Sequence, residues 1–150
     1  MWKKLRYTYL ALEEAVVDLL RRVRRHYSVG LITNGPSRSQ WEKIVHLDVE
    51  RLFDSILVSG DLACEKPQAE IFLKMCERLD VLPENCVMVG DRIDTDIAGG
   101  KCAGLAATVW IPLIHPATAS NKNFPSVDCI DHQPDFTICH VLDLATILQC

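Results

Sequence analysis

Asp91, Asp94 and Asp96 lie within six positions of "GDRIDTD", directly after the apolar stretch "VMV". Carboxylates this close repel one another, so they persist either because water screens them or because a cation holds them, and paired aspartates suit Mg²⁺. Alone the motif says little, since Asp94 or Thr95 could cap the following helix and Asp91 could be a turn residue. Two other stretches change its standing. "LITNG" ends an apolar run in Thr33, Asn34 and Gly35, and "EKP" places Lys66 ahead of a helical stretch. A threonine hydroxyl and free backbone amides at a helix start suit phosphate oxygens, and a lysine supplies a compact positive charge. With the aspartates, these residues describe a phosphoryl site.

The elements that must position them follow from hydrophobic spacing. Leu12, Ala15, Val16, Leu19 and Val23 predict an amphipathic helix over about 11–25, and "YSVGLIT" reads as a buried strand. "NGPSRSQWEKIVHL" supplies a turn, with Pro36 suited to a first helical position, and then a helix; "DSILVSG" is a short strand. "KPQAEIFLKMCERL" carries Ile71, Phe72, Met75 and Leu79 on one face, Pro83 to Asn85 turn the chain, and "CVMVG" is a strand. The Gly-rich "TDIAGGKCAGL" predicts a helix of low intrinsic propensity before the strand "AATVWI". Residues 112–135 read as loop, and "FTI" and "VLDLATIL" as a closing strand and helix.

Strands alternating with helices imply right-handed crossovers and a mainly parallel sheet, the α/β class. Ligands of such sheets bind beyond the carboxyl ends of the strands. Thr33-Asn34-Gly35, Ser59-Gly60-Asp61 and Gly90-Asp91 each end a predicted strand, so all can converge on one edge.

The chain's 150 residues, 49% hydrophobic and 24% charged, suffice for one core. A net charge of -4 argues against a nucleic-acid partner, although residues 1–26 hold seven Lys and Arg. Four of these, Arg21, Arg22, Arg24 and Arg25, complement a helix C-terminus. Seven cysteines without a close CxxC pair suggest neither a disulfide framework nor a zinc site; most are expected to be small buried hydrophobes in a reducing compartment. The longest apolar run, "AGLAATVWIPLI", is too short to cross a membrane. No membrane partner and a cytoplasmic location are expected.

In their order and placement, "LITNG", "EKP" and "VGDRIDTD" resemble the second, third and fourth motifs of the haloacid dehalogenase-like phosphatases. The resemblance runs over nearly the whole chain. It implies a Rossmann-like parallel sheet flanked by helices and a Mg²⁺-dependent hydrolase of phosphomonoesters, acting on a small phosphorylated substrate such as a sugar phosphate of the sialic acid pathway. It also implies residue roles. Thr33 would bind a phosphate oxygen, Asn34 would help through its backbone, and Lys66 would neutralise nucleophile and phosphate. Asp91 would ligate Mg²⁺ and Asp96 would support the ligand shell. Asp94 is either a solvent-facing helix-start carboxylate or a residue behind those ligands. Arg92 gives "GDRxxTD", which also resembles phosphatases of the phosphoglycolate and pyridoxal phosphate kind.

One part of the family pattern is missing. The family opens its core with an Asp-x-Asp-x-Thr strand that attacks phosphorus and moves the proton. Among twelve aspartates the only Asp-x-Asp is Asp94-Thr95-Asp96, already used by the fourth motif, and "DFT" at 135–137 is no substitute. The resemblance therefore implies that residues 1–26 end a helical cap and its linking helix. Residues 27–150 would then be a core without its first, central strand and without a nucleophile. The strands ending at Thr33 and Gly90 would face each other unpaired or be forced together. A non-catalytic module that binds phosphate and metal is the alternative reading.

Overall fold

A computed structural model describes residues 12–113 and 133–149. Helix α1 (Glu14–Val23) carries Glu14 in its first turn and Arg21 and Arg22 in its last, matching the helix dipole at both ends. Strand β1 (Gly30–Thr33) follows, then α2 (Ser37–His46), β2 (Ser55–Val58) and α3 (Ala69–Leu79). The chain continues through β3 (Val87–Gly90), a π-helical turn (Ile93–Ile97), α4 (Ala98–Cys102), β4 (Ala107–Trp110), β5 (Phe136–Thr137) and α5 (Leu144–Leu148). Pro36, expected inside α2, instead precedes it in an extended conformation.

The strands form two parallel sheets, β1-β2 and β3-β4-β5. Helices α1 and α3 cover opposite faces. The α3 side chains Ile71, Phe72, Met75 and Cys76 are buried and pack with Leu57, Ile32 and Met88. On the other face, Leu19 and Val23 of α1 pack with Val29, Val89, Val109 and Leu144. Leu31 of β1 joins Val17, Leu20, Ile44 and Val58 on that face. The low helix propensity of α4 has a packing cause: a Cβ at Gly99 would strike the Phe72 ring and the backbone of Pro67.

β1 and β3 do not pair with each other, so the sheet is interrupted where the sequence placed unpaired facing strands. Burial records the same break. The strands that pair with β1 and β3 hold buried residues, Leu57 and Val58 in β2 and Thr108 and Val109 in β4, whereas β1 and β3 hold none. Residues 1–10, expected to end a cap, and most of the expected loop at 112–135 lie outside the described residues.

The cysteine expectation needs correction. Of the five described cysteines only Cys64 and Cys76 are buried; Cys86 is half-buried, and Cys102 and Cys139 are exposed. Cys102 is the last residue of α4, where the helix gives way to the Ala103–Gly104 turn, and it is left exposed there.

Candidate active site

The three sequence clusters meet at the carboxyl ends of β1 and β3. Thr33 is the last residue of β1, and its hydroxyl donates to Gln40 Oε1 at 3.1 Å, which fixes the hydroxyl over the first turn of α2. Asn34 uses its side chain more than expected: Nδ2 donates to the Lys66 carbonyl at 2.8 Å, and Oδ1 accepts from the Lys66 amide at 3.0 Å. This two-bond clamp ties the "TNG" turn to the "EKP" loop across 32 residues. The Gly35 amide donates to Ser59 Oγ at 3.0 Å, joining the end of β2 to the same cluster.

The clamped loop aims Lys66 inward. Its Nζ donates to Asp96 Oδ1 at 2.7 Å and to the Ile32 carbonyl at 3.1 Å. The two side chains are 12% and 4% exposed, so this ion pair is nearly dry. The π-helical turn explains how Asp96 reaches it. Both Asp96 N–H and Ile97 N–H donate to the Arg92 carbonyl, and this widened turn rotates the Asp96 side chain under β3. Asp96 Oδ2 then accepts from the Arg92 amide at 3.2 Å. Gly90 permits the approach, because a Cβ there would overlap the Asp96 carboxyl group.

Asp91 directly follows β3 and is exposed; its backbone carbonyl accepts from Trp110 Nε1 at 2.9 Å. Asp94 points elsewhere. It makes a bidentate pair with the Arg92 guanidinium, at 3.1 and 2.7 Å, and that guanidinium holds its carboxyl below the usual aspartate range. Asp135 of the "DFT" stretch lies at the other end of β4. There it accepts from the Thr108 amide at 2.7 Å and the Thr108 hydroxyl at 2.8 Å, two residues before Trp110.

Whether these groups suit a divalent cation follows from their engagements. No three His, Cys, Asp or Glu side chains converge among the described residues. Mg²⁺ does not need such a cage, since it binds through one or two carboxylates together with substrate phosphate and water. The exposed Asp91 carboxylate fits that role. Asp96, committed to Lys66 and the Arg92 amide, fits a supporting one.

Sequence reasoning placed Ser59 on this edge as a polar residue ending a strand, but missed Gln40 and Trp110 as partners of the site and the side-chain role of Asn34. Gln40 and Trp110 carry no local signal, because each matters only through what another element brings beside it.

Comparison with known proteins finds relatives over nearly the whole chain. The family described as haloacid dehalogenase-like hydrolase matches residues 4–104. The N-acylneuraminate-9-phosphatase of Rattus norvegicus is 39% identical over 149 residues, covering 99% of this chain and 56% of that protein. A glyceraldehyde 3-phosphate phosphatase of Pyrococcus furiosus is 39% identical over 106 residues, 70% of this chain and 44% of its own length. The crystal structure of a HAD-hydrolase from Bacillus subtilis, bound to magnesium, superimposes with a TM-score of 0.73 at 28% identity. That match covers 93% of this chain and 57% of the other. The chain spans about half the length of these relatives.

Proposed function

This chain belongs to the haloacid dehalogenase-like hydrolase family, and on that premise we propose that it is the phosphate-handling core of a magnesium-dependent phosphomonoester hydrolase. Its substrate in this reading is N-acylneuraminate 9-phosphate, which makes it a cytoplasmic enzyme of sialic acid biosynthesis. The substrate assignment rests on the similarity to the rat phosphatase, which extends over nearly the whole chain. The observation that carries the chemistry is the nearly dry Lys66–Asp96 pair, clamped by Asn34 beside Thr33 at the sheet edge.

Each residue has a physical task. The Thr33 hydroxyl, on turning from Gln40, and the Asn34 backbone amide hold phosphate oxygens near the start of α2, where the helix dipole favours negative charge. Lys66 places its ammonium against the phosphate, and Asp96 keeps that ammonium from turning away. Such preset charge lowers the barrier because no reorganisation is needed as the reaction proceeds. Asp91, supported by Asp96, would hold Mg²⁺, which when bound polarises phosphoryl oxygens. The sequence holds no Asp-x-Asp-x-Thr stretch to supply the attacking carboxylate, so in this reading that group is not one of the residues assigned here.

The test joins the N-terminal segment of the rat N-acylneuraminate-9-phosphatase, with its Asp-x-Asp-x-Thr strand and cap, to Met1. Phosphate release is then followed from N-acetylneuraminate 9-phosphate, glyceraldehyde 3-phosphate and phosphoglycolate. Preference for the first, with turnover lowered by orders of magnitude in Lys66→Ala and Asp91→Ala, supports the proposal. A folded protein preferring either of the others refutes the substrate, and full activity in both variants refutes the site.

A further inference from the structure

Cys76 and Cys86 are free thiols whose Sγ atoms stand 3.7 Å apart. The backbone fixes both of them. Cys76 lies near the end of α3, where its carbonyl accepts from the Asp80 and Val81 amides. Asp80 is left-handed, with φ 54°, and turns the chain back. Pro83–Asn85 then form a tight helical turn that ends at Cys86. There the Cys86 N–H donates to the Pro83 carbonyl, and the Cys86 carbonyl accepts from the Ala106 amide just before β4. Two residues ten positions apart are thus held side by side by hydrogen bonds that do not involve their sulfurs.

The sulfurs meet directly. The Cys76 thiol donates to the Cys86 sulfur, and the Cys86 thiol donates to the Leu82 carbonyl at 3.3 Å. A disulfide bond is about 2.05 Å long, so rotation of the two side chains has about 1.7 Å to close. Cys76 is buried and Cys86 half-buried, so a dissolved reagent meets Cys86 first.

We propose that Cys76 and Cys86 are a modification site, a reversible disulfide formed by exchange with a small-molecule disulfide such as oxidised glutathione, which locks the end of α3 to the start of β3. In the first step Cys86 Sγ gives its proton to water and attacks one sulfur of the reagent. The reagent's S–S bond breaks, and one glutathione leaves as a thiolate that takes up a proton. In the second step Cys76 Sγ, losing its proton in turn, attacks Cys86 Sγ and expels the second glutathione in the same way. The two protein thiols lose two electrons, and one glutathione disulfide gains them to become two thiols, so no other oxidant is needed. Burial holds the Cys86 thiol up at about 11, which slows the first step at neutral pH, whereas the second gains from sulfurs already in contact. The bond closes the reversal between α3 and β3, the strand that leads to Asp91. It rests on sulfur geometry and not on the phosphatase reading, so its test measures no turnover.

The experiment incubates the 150-residue chain with oxidised glutathione at pH 8, in buffer and in urea, then blocks the remaining thiols and digests with trypsin. Cleavage after Lys74, Arg78 and Arg92 puts Cys76 in peptide 75–78 and Cys86 in peptide 79–92, so the disulfide appears as these two joined until reduced. Cys64 lies twelve positions before Cys76, and loops of such similar length close about equally well in an unfolded chain. The ratio of Cys76–Cys86 to Cys64–Cys76 linkage is expected to be at least about tenfold higher in buffer than in urea. The oxidised chain should melt at least about 3 °C above the reduced one, dithiothreitol should reverse the rise, and Cys86→Ser should abolish it. An equal ratio in buffer and urea overturns the proposal, as does recovery of Cys76 and Cys86 as free thiols or as glutathione adducts. Linkage that leaves the melting temperature unchanged or lowers it overturns the lock. If Cys86→Ser fails to fold, the linkage ratio and the dithiothreitol reversal in the unaltered chain decide the matter.

Discussion

Lys66 Nζ lies 2.7 Å from Asp96 Oδ1 across 30 residues, with both side chains almost wholly removed from water. A buried ion pair gains little over an apolar pair of the same shape, but breaking it leaves one charge without a partner. Lys66→Met and Asp96→Asn should therefore each lower the unfolding free energy by about 3 kcal/mol in urea titrations. The double variant Lys66→Met/Asp96→Leu should recover most of that loss. Single variants within about 0.5 kcal/mol of the parent would show that the pair is solvated.

Acid should destabilise the fold through two carboxylates outside the site. Asp54 is held below the usual range first by the Arg24 guanidinium at 2.5 Å and then by the Val29 amide. Asp135 is lowered by the Thr108 hydroxyl and amide, with Lys101 adding to it. A depressed folded-state value means that the unfolded chain binds protons more readily. The contribution is present above about pH 4 and is lost as pH falls through the folded values. Melting temperatures measured from pH 7 to pH 3 should fall steeply below pH 4, and Asp54→Asn and Asp135→Asn should flatten that fall.

Gly90→Ala tests the close approach of Asp96 to β3. The new methyl group would overlap the carboxyl group that holds Lys66, and neither partner can retreat into solvent. A cost of about 1–3 kcal/mol is expected, the range for overpacking a tight interior. Wild-type stability in this variant would mean that Asp96 leaves Lys66 freely.

Thiol reactivity should separate the cysteines. Burial, aided by the neighbouring Cys76 thiol 3.7 Å away, pushes the Cys86 thiol up to about 11, leaving little thiolate at pH 8. Iodoacetamide at pH 8 should therefore alkylate the exposed Cys139 and Cys102 well before Cys86 or Cys76, as read by peptide mass spectrometry. Early modification of Cys86 would contradict its placement.

Much of this protein was legible in its amino-acid order, because the signals are local. The spacing of Leu19 and Val23, or of Ile71, Phe72 and Met75, encodes which helix face is buried. The polar residues Thr33, Ser59 and Asp91 mark strand ends. From these alone the parallel α/β architecture follows, and so does the convergence of Thr33, Lys66 and the acidic cluster on one edge. Tertiary structure decided which atoms meet. That Asn34 clamps the Lys66 backbone, that Gln40 receives the Thr33 hydroxyl, and that Asp96 rather than Asp94 takes the Lys66 ammonium are matters of strand order and turn width. Such contacts join residues far apart in sequence, and no local period carries them. The exposure of Cys102 was decided the same way, since it depends on what other elements cover, a property of the packed chain and not of the residue itself.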